Sequence, residues 1–357
     1  MKEISKYIEE SPNIKTIIQW YDLPENKVIK LNPKFQKKII NNIYGKLKYG
    51  EKKKLAKKLG IGRSHLRLLS NLKSNFSIGS LKKVLTKNKI PLKGIEENII
   101  GFGRKRMINN PKFPINMGSK EGVALRSIIN SEGHISKQVG RSVMVRVPEI
   151  EMLKKTIKYS KMLLGSFRVS IKKTKDKATH EIFLPGELGD ILVLSGLTRG
   201  RKSINNPHVP KDITTGSMDK KKVYLQWSLA SEMECTKNSR VLKLTRYVNV
   251  SNIIELSYLN KIKEGCIYKN GIPKIILDRL SKYPPNLLIG EALMLKDFGI
   301  IRNPYIISLW KYKDGGISAA WSLPITNRKE ISILYNKIGI PLKEKSEKVK
   351  GVLQIYK

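Results

Sequence analysis

Two glutamates close the same short pattern in this chain. The first copy is Leu125-Arg126-Ser127-Ile128-Ile129-Asn130-Ser131-Glu132-Gly133; the second is Leu225-Gln226-Trp227-Ser228-Leu229-Ala230-Ser231-Glu232-Met233. The glutamates stand 100 residues apart (232 − 132), and Glu132-Gly133-His134-Ile135-Ser136-Lys137 aligns with Glu232-Met233-Glu234-Cys235-Thr236-Lys237. A single glutamate at a helix end is ordinarily a surface residue, but duplication of its context argues for a role. Two such helices side by side bring both carboxylates to one end. Hard divalent cations take carboxylate oxygens, and Mg²⁺ keeps waters that can attack a phosphodiester. Glu234 reads as a solvated neighbour. His134 has no counterpart in the second copy, which argues against a general base there.

The partner implied by charge is a polyanion. The 357 residues carry 70 Lys and Arg against 29 Asp and Glu, a formal net charge of +41. The excess runs along the whole chain, and a field of that size favours nucleic acid. A host that uses Lys and Ile heavily would explain the lysines but not the scarcity of acids. A hydrophobic content of 40% fits a folded protein of two or three domains. Met1-Lys2-Glu3-Ile4-Ser5-Lys6 has no apolar signal core, and no run approaches a membrane span. Cys235 and Cys266 make no disulfide framework, so a reducing cytoplasm is expected. Four scattered histidines argue against zinc.

The elements that must position the glutamates are also duplicated. Upstream of the first lies Gly103-Arg104-Lys105-Arg106-Met107-Ile108-Asn109-Asn110-Pro111-Lys112-Phe113-Pro114; upstream of the second lies Gly200-Arg201-Lys202-Ser203-Ile204-Asn205-Asn206-Pro207-His208-Val209-Pro210. Each reads as an extended basic connector. Arg104, Lys105, Arg201 and Lys202 are its candidate nucleic-acid contacts. Downstream, strands are expected at 142–147, 167–173 and 179–184, with helices at 149–164 and 188–197. In the second copy strands are expected at 241–246, 305–312 and 317–323, with a helical region over 252–296 and a helix near 329–338. Val169–Asp176 and Ile307–Asp314 share Ser, two Lys and Asp at an offset of 138, so the second copy holds about 38 more residues before that strand. Each half reads α-β-β-α-β-β-α.

This order and the duplicated motif resemble the LAGLIDADG homing endonucleases in their single-chain, two-repeat form, over residues 103–340. The resemblance implies an α+β fold of two pseudo-symmetric αββαββα repeats. Two motif helices would pack at a pseudo-twofold axis, under two antiparallel sheets forming a saddle over a DNA major groove. It implies a monomeric, intron-encoded type of enzyme making a staggered double-strand break with Mg²⁺ held by Glu132 and Glu232. Lys173 and Lys311, or their neighbours Lys175 and Lys313, would be the basic residues near the cleavage centre. The chain departs from the pattern in three ways. The small third residue of the motif, usually Gly, is Ser127 and Trp227; the glycine after the acid is kept as Gly133 but becomes Met233; both acids are Glu. Trp227 implies a shifted helix interface. Trp227, Trp310 and Trp321 read as core or interface residues. A non-cleaving DNA-binding regulator on the same scaffold, or an intron RNA maturase, are the alternative readings.

The first hundred residues read differently. An amphipathic helix is expected over 35–49. Lys52–Leu69 then pairs small Ala56 with turn-forming Gly60 and an inward face of Ile61, Leu66 and Leu69. A further helix is expected from Ile78 to about Lys89. The stretch 35–92 resembles a helix-turn-helix of the Cro/repressor type. That resemblance implies an all-α domain over 1–100, followed by repeats over 101–200 and 201–357. It also implies a helix beginning near Arg63 that offers Arg63, Ser64, His65 and Arg67 to a major groove.

Overall fold

The computed structural model describes residues 14–45, 47–104, 106–138, 141–174, 178–235, 240–254, 258 and 265–356. Six short strands frame the N-terminal third: β1 (Ile17–Ile18), β2 (Val28–Leu31), β3 (Phe76–Ser77), β4 (Ile99–Phe102), β5 (Ile108–Asn109) and β6 (Ile115–Asn116). They pair antiparallel as a four-stranded sheet, β3-β2-β4-β5, and a two-stranded one, β1-β6. The expectation of an all-α N-terminal unit is therefore corrected. Strands of two to four residues leave no readable period-2 pattern, and their partners lie far off in sequence, as Ile29 opposite Phe102 shows.

Helices fill the rest of this third, at Pro33–Ile40, Tyr49–Leu59, Arg63–Ser70 and Ile78–Lys87. The first gives way after Ile40 to a π-helical turn, Asn41–Gly45, instead of running on to 49. Gly60 stands between the next two at φ +63 and ψ 32, a left-handed conformation that glycine adopts without steric cost. Ala56, Ile61, Leu66 and Leu69 are buried, and Arg63, Ser64, His65 and Arg67 are exposed.

The first repeat follows as the helix Lys120–Glu132, β7 (Gly133–Ile135), β8 (Val143–Val147), the helix Ile150–Leu164, β9 (Lys172–Lys173), β10 (His180–Leu184) and the helix Gly186–Leu194. The second begins with the helix Met218–Glu232, then β11 (Met233–Cys235) and β12 (Leu242–Asn249). Next come β13 (Gly265–Tyr268), the helices Lys274–Leu280 and Asn286–Asp297, β14 (Tyr305–Lys311), β15 (Ile317–Ile325) and the helices Arg328–Ile333 and Lys343–Ile355. Both sheets are antiparallel, ordered β7-β8-β10-β9 and β11-β12-β15-β14-β13. The αββαββα order holds in the first repeat. In the second, the region read as one long helical stretch contains β13, which adds a fifth strand at the sheet edge.

The duplicated sequence is matched by duplicated backbone. Ser119 and Ser217 cap the motif helices, each hydroxyl accepting an N–H from three residues on. Gly103 and Gly200 have φ +96 and +90, and Asn110 and Asn206 have φ +48 and +43. Asn is among the few residues that enter the left-handed region at modest cost, which accounts for the Asn before each proline. The connectors differ locally. The first contains β5, whereas the second is wound into a helical turn, Lys202–Asn205, and is not extended.

Two cores hold these parts. One gathers residues from Ile18 to Leu197, spanning the N-terminal third and the first repeat; the other belongs to the second repeat. The expected border near residue 100 is thus crossed by a continuous core and by β4. Lys27 and Asp190 also cross it, as a buried ion pair at 2.5 Å. The motif helices exchange residues between cores: Trp227 and Ala230 enter the first, Val123 the second. Among the described residues no helix is long and apolar enough to cross a membrane.

Candidate carboxylate centre

The two motif helices pack along each other through small and polar groups. Ser127 Oγ donates to the Tyr224 carbonyl at 2.7 Å, and Asn130 Nδ2 donates to Tyr224 Oη at 3.1 Å. Trp227, expected to shift the helix interface, turns to the helix Ile150–Leu164. There it meets Tyr159 edge-on, with centroids 5.7 Å apart. Both helices end at their glutamate, and Gly133 and Met233 continue as extended backbone into β7 and β11.

This arrangement brings Glu132 and Glu232 within electrostatic reach of each other. Burial, then the charge of Glu232, pushes the Glu132 carboxyl up to about 7, against the opposing pull of Lys202, Arg246 and Lys345. A carboxyl in this state is poised between its two forms at neutral pH. Among the described residues Glu132 has no hydrogen-bond or ion-pair partner.

Glu232 is differently placed. Arg246 of β12 reaches it with Nη1 at 2.5 Å. The same guanidinium donates through Nη2 to Ser131 Oγ at 3.1 Å, to Ser228 Oγ at 2.8 Å and to Glu291 Oε1 at 2.5 Å. Glu291, on the helix Asn286–Asp297, is fully buried and also accepts from Ser228 Oγ. Burial opposes the charge on Arg246, but Glu232 and Glu291 outweigh it and hold the guanidinium protonated.

Two lysines close the helix ends. Lys202 Nζ donates to the carbonyls of Ile129, Asn130 and Ser131, and Lys345 Nζ donates to the Ser231 carbonyl at 2.9 Å. These satisfy free carbonyls at the last turn and place positive charge where the helix dipole favours it. Burial lowers Lys202 to about 8, against the pull first of Glu232. A cleft of about 160 Å³ opens beside Glu232, bordered by Ser131, Lys202, Arg246 and Tyr247.

The cations at the centre are therefore Lys202, Arg246 and Lys345. Lys173 lies exposed on the edge strand β9, and Lys311 lies near the end of β14. Lys202, expected among the nucleic-acid contacts, is turned inward. Arg104, Arg201 and Lys313 are exposed, Arg201 lying 4.0 Å from the Asp314 carboxylate. Lys105 and Lys175 lie outside the described residues. Glu234 is exposed, as read. Trp227 and Trp321 are buried as expected, but Trp310 is 43% exposed on the open face of β14. Arg246, Glu291 and Lys345 are the residues that sequence reading missed. A signal existed for the first. In β12 the inward positions are Leu242, Leu244, Arg246 and Val248, so an arginine occupies the apolar face of an alternating strand.

No family model and no curated sequence matches the chain. Among solved structures, the homing endonuclease I-DmoI in complex with DNA and Ca covers 65% of this chain and 97% of its own. The identity is 10% and the TM-score 0.35. The N-terminal LAGLIDADG domain of DUF199/WhiA covers 64% of this chain and 88% of its own, at 13% identity and a TM-score of 0.32. At this level the likeness carries no functional argument, which rests on the geometry above.

Proposed function

We propose that the protein binds double-stranded DNA and hydrolyses its phosphodiester bonds with a divalent cation at Glu132 and Glu232. The observation that carries this reading is the convergence of two duplicated carboxylates at the ends of packed helices, with Glu132 raised to about 7 and unpaired among the described residues. The residues fit a hard cation such as Mg²⁺. Glu132 offers a carboxylate without a competing ion pair, and Glu232 keeps Oε2 clear of its bond to Arg246. No cluster of three or more His, Cys, Asp or Glu side chains suited to a metal occurs among the described residues, so an ion here would keep most of its waters. When bound, it supplies an acidic water and a Lewis acid for the phosphoryl oxygen. In the hydrolysis one water oxygen bonds to phosphorus, one ester P–O bond breaks, and the departing oxygen takes the proton released. Lys202 and Arg246 hold positive charge beside the site. Arg63, Ser64, His65 and Arg67, exposed after the Gly60 turn, supply flanking contacts in the manner of a recognition helix.

The test is Mg²⁺-dependent cutting of DNA from the protein's own genomic neighbourhood. Wild type cuts and Glu132→Gln does not, while the affinity of the variant for that DNA stays equal or rises slightly. Cutting that survives in Glu132→Gln removes this residue from the site. Binding should also weaken about 10³-fold or more between 50 and 200 mM salt if about six phosphates are neutralised. A flat salt response excludes nucleic acid as the partner. A second reading, a DNA-binding protein that does not cut, is favoured by one feature: Arg246 already neutralises Glu232. In that case wild type shows the salt response without cutting.

A further inference from the structure

Resting on the hydrolytic reading, we infer that the two carboxylates are not equivalent: Glu132 takes the divalent cation, Glu232 is held as counter-ion of Arg246, and one strand of a duplex is opened ahead of the other. The sheet register locates the difference. Gly133 pairs with Val145 in the first repeat, and Met233 pairs with Leu244 in the second. Two residues further along each strand the position facing the helix ends is Val147 in one repeat and Arg246 in the other. Val147 is buried and apolar, so nothing from its strand engages Glu132. Arg246 engages Glu232 at 2.5 Å and is anchored from behind by Glu291, which is 0% exposed. Moving the guanidinium away would strand that buried carboxylate, a costly state. The helix at the corresponding place in the first repeat, Ile150–Leu164, buries Met152, Leu153, Thr156, Ser160, Leu163 and Leu164, and no acid.

Electrostatics around the cleft point the same way. Beside Glu232 it is bordered by Lys202 and Arg246, two cations against one acid; both also act on Glu132 from nearby, but the ion pair with Arg246 belongs to Glu232. A second divalent cation there would meet like charge at short range. One cation-binding position serves one scissile phosphate at a time. The other strand must wait until the duplex is seated again.

Titrating the full-length protein with Mn²⁺ at pH 8, followed by electron paramagnetic resonance, tests the assignment. One ion should bind. Glu132→Gln should weaken it by about tenfold or more, and Glu232→Gln by less than about threefold. Equal weakening by the two substitutions, or two ions in wild type, overturns the inference. Combining Arg246→Val with Glu291→Leu gives the second repeat the apolar surroundings of the first, and a second ion should then bind at Glu232. One ion still bound by that folded double variant also overturns it. Should the double variant fail to fold, the isosteric glutamine pair decides alone. On a supercoiled plasmid that wild type cuts, nicked circles should accumulate before linear DNA; simultaneous appearance overturns the strand order. One Mn²⁺ bound through Glu132 without cutting of any DNA leaves the carboxylate assignment standing and sinks the hydrolytic reading with its strand order.

Discussion

The ends of the two motif helices invite comparison because their sequences agree and their surroundings do not. Each ends in Ser-Glu, passes directly into a strand and is bonded at carbonyl oxygen near its end by a lysine, Lys202 from the connector into the second repeat or Lys345 from the helix Lys343–Ile355. Yet Glu132 faces a valine-lined strand, and Glu232 faces Arg246 with Glu291 behind it. Duplication copied the backbone and the acid. Neighbouring elements give only Glu232 an ion pair among the described residues, and a carboxylate's chemistry depends on such partners as much as on its own identity.

Removing the arginine is the harshest way to break the comparison. Arg246→Leu should cost about 3–5 kcal/mol, because Glu291 is left buried and uncompensated. Val147→Ala, at the matching position, should cost only about 1–2 kcal/mol for a small cavity. Chemical denaturation measures both. Adding Glu291→Leu to Arg246→Leu should restore most of the loss. If it does not, Glu291 is not the reason Arg246 is held.

A pH titration of stability sharpens the contrast further. The folded state holds the Glu132 proton up to about 7, above the usual 4.5. Its stabilising contribution is therefore complete below about pH 4.5 and is lost as pH rises to 7, a change on the order of 2–3 kcal/mol. Glu132→Gln should remove that slope and be the more stable protein at pH 8. Equal slopes in wild type and variant, read from denaturation midpoints between pH 4.5 and 8, would contradict a buried, repelled carboxyl.

The lysine caps should give the smallest effects. Lys202→Met removes three bonds to buried helix carbonyls and should cost about 1–3 kcal/mol. Lys345→Met removes one bond and should cost about 0.5–1.5 kcal/mol. Loss of thermal stability in the opposite order would mean that the two caps are not analogous.

Much of the scaffold was legible because it rests on local rules. The Asn-Asn-Pro signature marked two connectors, and both second asparagines adopt the left-handed conformation. Gly60 marked its turn by the same rule, and apolar spacing found the helices around it. Strands β2, β3 and β13 escaped because two to four residues carry too little periodicity. The side on which Trp227 packs was not legible for a different reason: a tryptophan's size is local, but its direction, toward Tyr159, depends on a third helix.

By itself the sequence determined the two-copy architecture, the helix ends at Glu132 and Glu232, and the excess of positive charge. These follow from repetition, capping and composition, which act over a few residues or over the chain as a whole. Only the tertiary structure decided which cations stand beside the acids. Lys202 reads as a nucleic-acid contact on an extended connector, but the connector coils and turns it onto the end of the first motif helix. Arg246 and Glu291 are 45 residues apart (291 − 246) and have no shared pattern. Their pairing is set by the packing of a helix on a sheet, because a buried charge persists only where an opposite charge is brought to meet it.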